Sequence, residues 1–258
     1  MPGVRWPYPR WIAHRGAGKL APENTLAAFR LGASYGYRMF ECDVKLSRDG
    51  IPFLLHDDTL SRTTNANDKL ATDSRATAGQ HGWGELAQLD AGSWHSPSFA
   101  GEPLPTLEAV ARYCLRNGHF LNIEVKPTPG LATQTGKVVA HHAAKLWQGA
   151  SVPPLLSSFE VAALEAAMAA QPDLPRGLLL DSLWPGWLET AQKLGCVAII
   201  CDHVLWDRES VGLARRAGFK TLSYTVNDEA TARRLLDLEV DGIITDRIDL
   251  FVPLSACA

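Results

Sequence analysis

Two imidazoles, three carboxylates, a guanidinium and an ammonium stand at or near the ends of short apolar runs in the first half of the chain. "RWIAHR" ends in His14 and Arg15, "MFECDVKL" carries Glu41 and Asp43, "PFLLHDD" reaches His56, and "FLNIEVK" carries Glu124 and Lys126. Alternate side chains of an extended strand share a face, so Glu41 and Asp43 point one way and Cys42 the other. By the same rule Glu124 and Lys126 share a face, with Asn122 one step below. Three carboxylates gathered in a low-dielectric interior repel one another unless cations compensate them. A divalent ion, helped by Arg15 and Lys126, relieves that repulsion. Hard oxygen donors without a thiolate suit Mg²⁺, Ca²⁺ or Mn²⁺ more than Zn²⁺. Imidazoles at the flanks supply a base and an acid near neutral pH. Such a set neutralises the nonbridging oxygens of a phosphoryl group and moves protons at the two bridging ones.

These residues need a scaffold that brings strand ends together. Strand-like runs recur as "RWIAHR", "MFECDVKL", "FLNIEVK", "PLLSSF", "GLLLD", "VAIICD", "TLSYTV" and "GIITD". Amphipathic segments lie between them, among them "NTLAAFRLGASYG", "TLEAVARYCLRNG", "EVAALEAAMAA", "ESVGLARRAG" and "EATARRLLDLE", several stopped by glycine. Eight strands alternating with helices predict an α/β fold, a (β/α)8 TIM barrel whose chemistry sits at the C-terminal strand ends. A doubly wound open sheet is the alternative, weakened by the absence of a G-x-G-x-x-G turn after the first strand. Asn24 or Thr25 is placed to cap the first helix.

Two features interrupt the alternation. "VKLSRDGIPFLLHDD" reads as a β-hairpin. With its turn centred on Arg48-Asp49, Leu54 falls opposite Asp43 and His56 near Glu41, which returns the second imidazole to the carboxylates. Residues 57–105, rich in Thr, Asp, Gly and Ser, predict a small inserted lobe over the barrel mouth within a single domain spanning 1–258.

Bulk properties narrow the classes of function. A net charge of −3 over 258 residues offers no general attraction to nucleic acid or to an anionic membrane. No apolar run approaches the roughly 20 residues of a membrane span, and "MPGVRWPYPRW" lacks the apolar core of a secretion signal. The cysteines Cys42, Cys114, Cys196, Cys201 and Cys257 are scattered, without C-x-x-C spacing. Reduced, buried thiols and a cytoplasmic location are expected.

The motifs "HRG" with "PENT", "ECD", "LLHDDTLSRTTN", "NIEVK", "SSF", "YTVND" and "DGIITD" follow one another along nearly the whole chain. In this order they resemble the glycerophosphodiester phosphodiesterase family. The resemblance implies a (β/α)8 barrel with an insertion after the His-Asp motif. It further implies hydrolysis of a small-molecule glycerophosphodiester to sn-glycerol 3-phosphate and an alcohol, with one bound divalent cation. Matched residue by residue, Glu41, Asp43 and Glu124 become the metal ligands, His14 and His56 the acid–base pair, and Arg15 and Lys126 the phosphate partners. Tyr224 departs from the pattern, since the family more often has Trp in that step. Either a water or the substrate's 2-hydroxyl can attack phosphorus in such a site.

Other residues near strand ends are weighed against structural roles. Trp184, Trp206, Phe159 and Tyr224 are aromatic residues whose commoner fate is the core. Phe159, Trp206, Tyr224 and His203 are nevertheless placed here as substrate-facing. His141 and His142 read as helix surface, His119 as barrel bottom, and Asp246 as a local cap or ion-pair partner. Two competing functions remain: hydrolysis of lysophospholipids by a lysophospholipase D-type site, and an inactive barrel serving as a binding module. A membrane-docking apolar rim would favour the first and a missing ligand or histidine the second; the insert is polar and no such residue is missing. A homo-oligomer is compatible with the sequence.

Overall fold

The computed structural model describes residues 6–70 and 77–253. Nine strands form one sheet: β1 (Trp11–Ala13), β2 (Met39–Leu46), β3 (Pro52–Leu54), β4 (Phe120–Val125), β5 (Leu155–Ser158), β6 (Arg176–Leu180), β7 (Ala198–Asp202), β8 (Lys220–Tyr224) and β9 (Gly242–Thr245). All but β3 run parallel, and the pairing of β1 with both β2 and β9 closes the sheet into an eight-stranded barrel. The helices are α1 (Leu26–Ser34), α2 (Ala66–Lys69), α3 (Trp83–Leu86), α4 (Leu107–Arg116), α5 (Ala132–Leu146), α6 (Val161–Ala170), α7 (Trp187–Lys193), α8 (Arg208–Arg216) and α9 (Glu229–Asp237). All but the two short ones, α2 and α3, follow barrel strands, with α4 coming after the insert. The TIM barrel read from the alternation is the observed fold.

Period-two patterning separates two apolar layers. Ile12, Met39, Leu155, Leu179, Ile200, Leu222 and Ile244 point inward and fill the lower barrel. The intervening residues point outward: Phe40, Cys42, Val44, Ile123 and Val125 pack on α1, α4 and α5. Leu178, Leu180, Ile199, Cys201 and Ile243 pack on α6 to α9. Each large side chain buried this way stabilises the fold by roughly 1.5–3 kcal/mol. The same alternation sends Glu41, Asp43, Glu124 and Asp246 inward, one or two steps above the apolar plug. Thr25 caps α1 by accepting from the Ala28 N–H at 3.2 Å. Asn24 has a different task, described below.

The hairpin forms, shifted by one residue from the expected register. Val44 pairs with Leu54, Lys45 with Phe53 and Leu46 with Pro52. The turn holds three residues, Arg48 to Gly50, between Ser47 and Ile51, whose N–H to C=O bond is 3.0 Å. Gly50 sits at φ +80°, the left-handed position that a three-residue hairpin loop requires. An odd loop moves the centre to Asp49 and leaves Leu55, not Leu54, bonded to Asp43, through its N–H at 3.1 Å. The chain then leaves the ladder, so His56 reaches the barrel mouth by a turn and not by strand register.

Leu60, Ala66, Ala78, Leu86, Leu89, Ala91 and Leu104 of the insert form a separate apolar cluster with Phe53 of β3 and Leu55 just after it. The insert docks on the β1–α1 loop and the first turn of α1: His95 Nε2 donates to the Lys19 carbonyl at 3.0 Å, and the Ala27 N–H donates to Glu102 at 2.9 Å.

Candidate active site

The upper end of the barrel interior holds a cavity lined by His14, Arg15, Glu41, His56, Asn122, Glu124, Lys126, Phe159, Leu179, Tyr224, Thr225 and Ile244. Strand register explains the convergence. Glu41 lies beside Asn122 and Asp43 beside Glu124 in the β2–β4 pairing. Glu41, Asp43 and Glu124 each offer an oxygen, and these atoms lie within 4.8 Å of one another. The Glu41 Oε1 atom is buried without a hydrogen-bond partner. Three converging carboxylates with one orphaned oxygen form a donor set that a hard divalent cation fits. Burial and the charge of Asp43 push the Glu41 carboxyl up to about 8. Burial and Asp43 raise Glu124 as well. Asp43 is held below the usual range although burial opposes this, because Arg15, Lys126 and His56 surround it and Asn24 donates to it.

The cations lie against the same carboxylates. Arg15 Nε is 3.2 Å from Asp43, and Lys126 Nζ is 3.1 Å from Glu124 and 3.5 Å from Asp43. The Arg15 N–H also donates to Glu41 Oε2 at 3.1 Å. That contact holds Arg15 at φ +49°, a conformation that L residues with long side chains seldom adopt. Asn24, at φ +59°, turns its amide onto Asp43: Nδ2 donates to Oδ2 at 2.8 Å and Oδ1 accepts from the Asp43 N–H at 3.1 Å.

Each histidine leans on an aspartate. His14 Nδ1 is 2.6 Å from Asp246 Oδ1, and its Nε2 lies 3.8 Å from Glu41. His56 Nδ1 is 2.8 Å from Asp57. An ionised carboxylate only accepts, so both rings carry the proton on Nδ1 and present Nε2 to the cavity. Burial lowers the His14 pKa, but the Asp246 hydrogen bond and the Glu41 charge outweigh it and the net shift is upward. His56 shifts down, through burial and the nearby Arg15 and Lys126. The aspartates are braced in turn. Asn227 donates to Asp246 Oδ2 at 2.9 Å and accepts the Asp246 N–H at 2.9 Å. Arg62 grips Asp57 through Nε at 2.6 Å and Nη2 at 2.9 Å. Its two terminal nitrogens also reach Glu23 at 2.8 and 2.7 Å, and Glu23 accepts from Arg15 at 2.9 Å.

The sequence profile of the glycerophosphoryl diester phosphodiesterase family matches residues 14–250. The chain belongs to this family. It is 30% identical over 248 residues to a glycerophosphodiester phosphodiesterase of Caldanaerobacter subterraneus subsp. tengcongensis, a match covering 94% of this chain and 96% of the relative. The structure of a phosphodiesterase from Oleispira antarctica, in complex with the product sn-glycerol-3-phosphate, superposes with a TM-score of 0.83 at 35% identity and covers 93% of each chain. A glycerophosphodiester phosphodiesterase from Agrobacterium tumefaciens superposes at 0.75 with 28% identity, covering 95% of this chain and 99% of its own.

Within this phosphodiesterase the substrate-facing residues read from the sequence divide. Phe159 and Tyr224 line the cavity with their rings edge to face at 5.8 Å, and the Tyr224 hydroxyl donates to the Leu180 carbonyl at 2.9 Å. Trp206 is a correction. It is 1% exposed and packs among the outer residues under α8 and α9, with Nε1 donating to the Leu222 carbonyl at 2.7 Å. The chain turns outward after β7, which carries the indole away from the barrel axis. His203 is corrected for the same reason. It begins the short turn after β7, outside the cavity lining, and its carbonyl accepts from Arg234 at 2.6 Å. Asp246 is the opposite case: read as capping or pairing locally, it is the partner of His14, 232 positions away. Gly18 makes that contact feasible, since a Cβ there would stand 2.2 Å from the Asp246 backbone. Asp57, Arg62, Glu23 and Asn227 were not singled out from the sequence, and Asn24 only as a possible helix cap, although all lie within the motifs that carried the family resemblance.

Proposed function

We propose that this enzyme hydrolyses glycerophosphodiesters to sn-glycerol 3-phosphate and an alcohol with a divalent cation bound by Glu41, Asp43 and Glu124. The observation that carries the reading is the pair of aspartate-braced imidazoles, both presenting Nε2 to a cavity walled by the carboxylate cluster. When bound, the cation supplies charge neutralisation at the phosphoryl oxygens. Arg15 and Lys126 bind and orient the phosphate from the same side. One imidazole removes the proton from the oxygen that attacks phosphorus, and the other protonates the departing alcohol oxygen. Phe159 and Tyr224 form the wall against the organic groups, and the lobe at 57–105 covers the mouth of the single catalytic domain. A soluble, reducing compartment is supported by Cys42, Cys114, Cys196 and Cys201, which are free and buried. Among the described residues, no helix is long and apolar enough to cross a membrane.

The test is release of glycerol 3-phosphate from glycerophosphocholine, read by a coupled assay, with Mg²⁺, Ca²⁺ or Mn²⁺ and after chelation. Turnover is expected with metal and lost without it. His14→Ala and His56→Ala should each lower kcat by about 10²–10⁴-fold while the protein still binds metal. Near-full turnover in either variant would overturn the two-histidine mechanism, and absence of product with all three metals would overturn the function.

A further inference from the structure

A second cavity of about 430 Å³ opens beside the catalytic one and shares Glu124, Lys126 and Phe159 with it. The rest of its wall is largely apolar: Val125, Pro127, Pro129 and Ala132 contribute, with Asp58 and Glu160 as the added carboxylates. The catalytic cavity is the smaller, about 190 Å³, and holds both imidazoles. A phosphodiester has two organic arms, and a diester whose phosphate sits against Lys126 and Glu124 in the catalytic cavity can extend one arm past Phe159 into the adjoining cavity. Phe159 stands at the junction of the two cavities and is 40% exposed, so its ring face is open to both.

Charge decides what this space suits. Asp58 is held by Lys45 at 2.8 Å, and Glu124 by Lys126 at 3.1 Å. Glu160 is the wall carboxylate that neither pair neutralises. It occupies the N-cap position of α6, yet its side chain makes no capping hydrogen bond to the first turn. An aromatic face, proline rings and one uncompensated carboxylate favour a methylated ammonium over a neutral polyol.

We propose that this second cavity is the alcohol subsite and that Phe159 and Glu160 select a cationic, methylated head group. The inference rests on the phosphodiesterase reading above and adds the substrate class. The metal-loaded enzyme is assayed with glycerophosphocholine, glycerophosphoglycerol and glycerophosphoinositol. The choline diester is expected to lead in kcat/KM by about tenfold. Glu160→Gln should bring the ratio of the choline to the glycerol diester toward one, and Glu160→Lys should reverse the preference. Glu160 is exposed, so both variants are expected to fold, with circular dichroism as the check. Equal turnover of all three diesters, or an unchanged ratio in both variants, would overturn the subsite while leaving the phosphodiesterase reading intact. No turnover of any diester would overturn that reading and the subsite with it.

Discussion

His14 and Asp246 come from strands at opposite ends of the chain, and the closure of β1 on β9 makes them neighbours. The 2.6 Å contact fixes the ring orientation and keeps the proton on Nδ1. Asp246→Asn preserves size but can offer its amide as a donor, which favours the other tautomer. We expect kcat to fall by about 10²–10⁴-fold with metal binding retained, the range that mispositioning a paired histidine produces elsewhere. Steady-state kinetics alongside metal titration checks this. Unchanged kcat would return Asp246 to a structural role. Trp206 argues the converse. Trp206→Phe leaves the Leu222 carbonyl without its buried donor, a loss of about 1–3 kcal/mol. Chemical denaturation should show that loss while KM stays within about twofold. A changed KM with unchanged stability would put the indole back in contact with substrate. These two residues also mark what one strand end reveals. Asp43 and Glu124 were legible because the period-two rule acts within a strand. Asp246 was not, because its partner lies 232 positions away. Trp206 was misplaced because a turn after a strand can aim a side chain to either side of the sheet.

At the scale of elements, the barrel strands followed from apolar runs, the helices from amphipathic segments with glycine stops, and the hairpin from its turn residues. Its register did not follow, since two- and three-residue loops share the Asp-Gly signal and differ by one position in pairing. Nor did the sequence reveal how the insert fastens. Arg62, near its start, spans Asp57 on the loop after β3 and Glu23 on the loop after β1. Both acids have their pKa values depressed. For Asp57 the Arg62 hydrogen bond leads; for Glu23 burial opposes the shift, and the Arg62 bonds together with the Arg15 and Arg62 charges outweigh it. One guanidinium therefore couples the loop that carries His56 to the loop that carries Arg15. Arg62→Ala should lower kcat/KM by about tenfold and speed amide hydrogen exchange in residues 15–25 and 56–62. Arg62→Lys should recover little, because an ammonium lacks the planar fork that serves two carboxylates at once. Exchange confined to the insert, with kinetics unchanged, would show that Arg62 merely anchors the lobe. Arg62 is partly exposed, so little change in global stability is expected.

For the molecule as a whole, the carboxylate cluster sets function against stability. The lower barrel is an apolar plug, and three acids sit directly above it. With no cation, burial and then the neighbouring charge of Asp43 make ionising Glu41 so unfavourable that its pKa rises to about 8. A carboxyl whose folded pKa is raised keeps its proton after the unfolded chain has released it. The folded state then binds more protons, so stability falls as pH climbs from the ordinary glutamate range toward about 8, and levels off above it. Glu41→Gln removes this titration and the buried charge. In chelator, the variant should therefore be more stable than the native enzyme at pH 8.5, with the difference shrinking toward pH 5. Divalent metal should stabilise the native enzyme, increasingly so as pH rises, because binding displaces the Glu41 proton. The same metal should leave Glu41→Gln nearly unmoved, and that variant should be inactive. Thermal melts of both proteins across pH, with chelator and with metal, measure all of these differences. If the variant were less stable at every pH, the proton on Glu41 would be serving as a hydrogen-bond donor inside the fold. The cluster would then be a structural network, and not a site kept under repulsion for a cation.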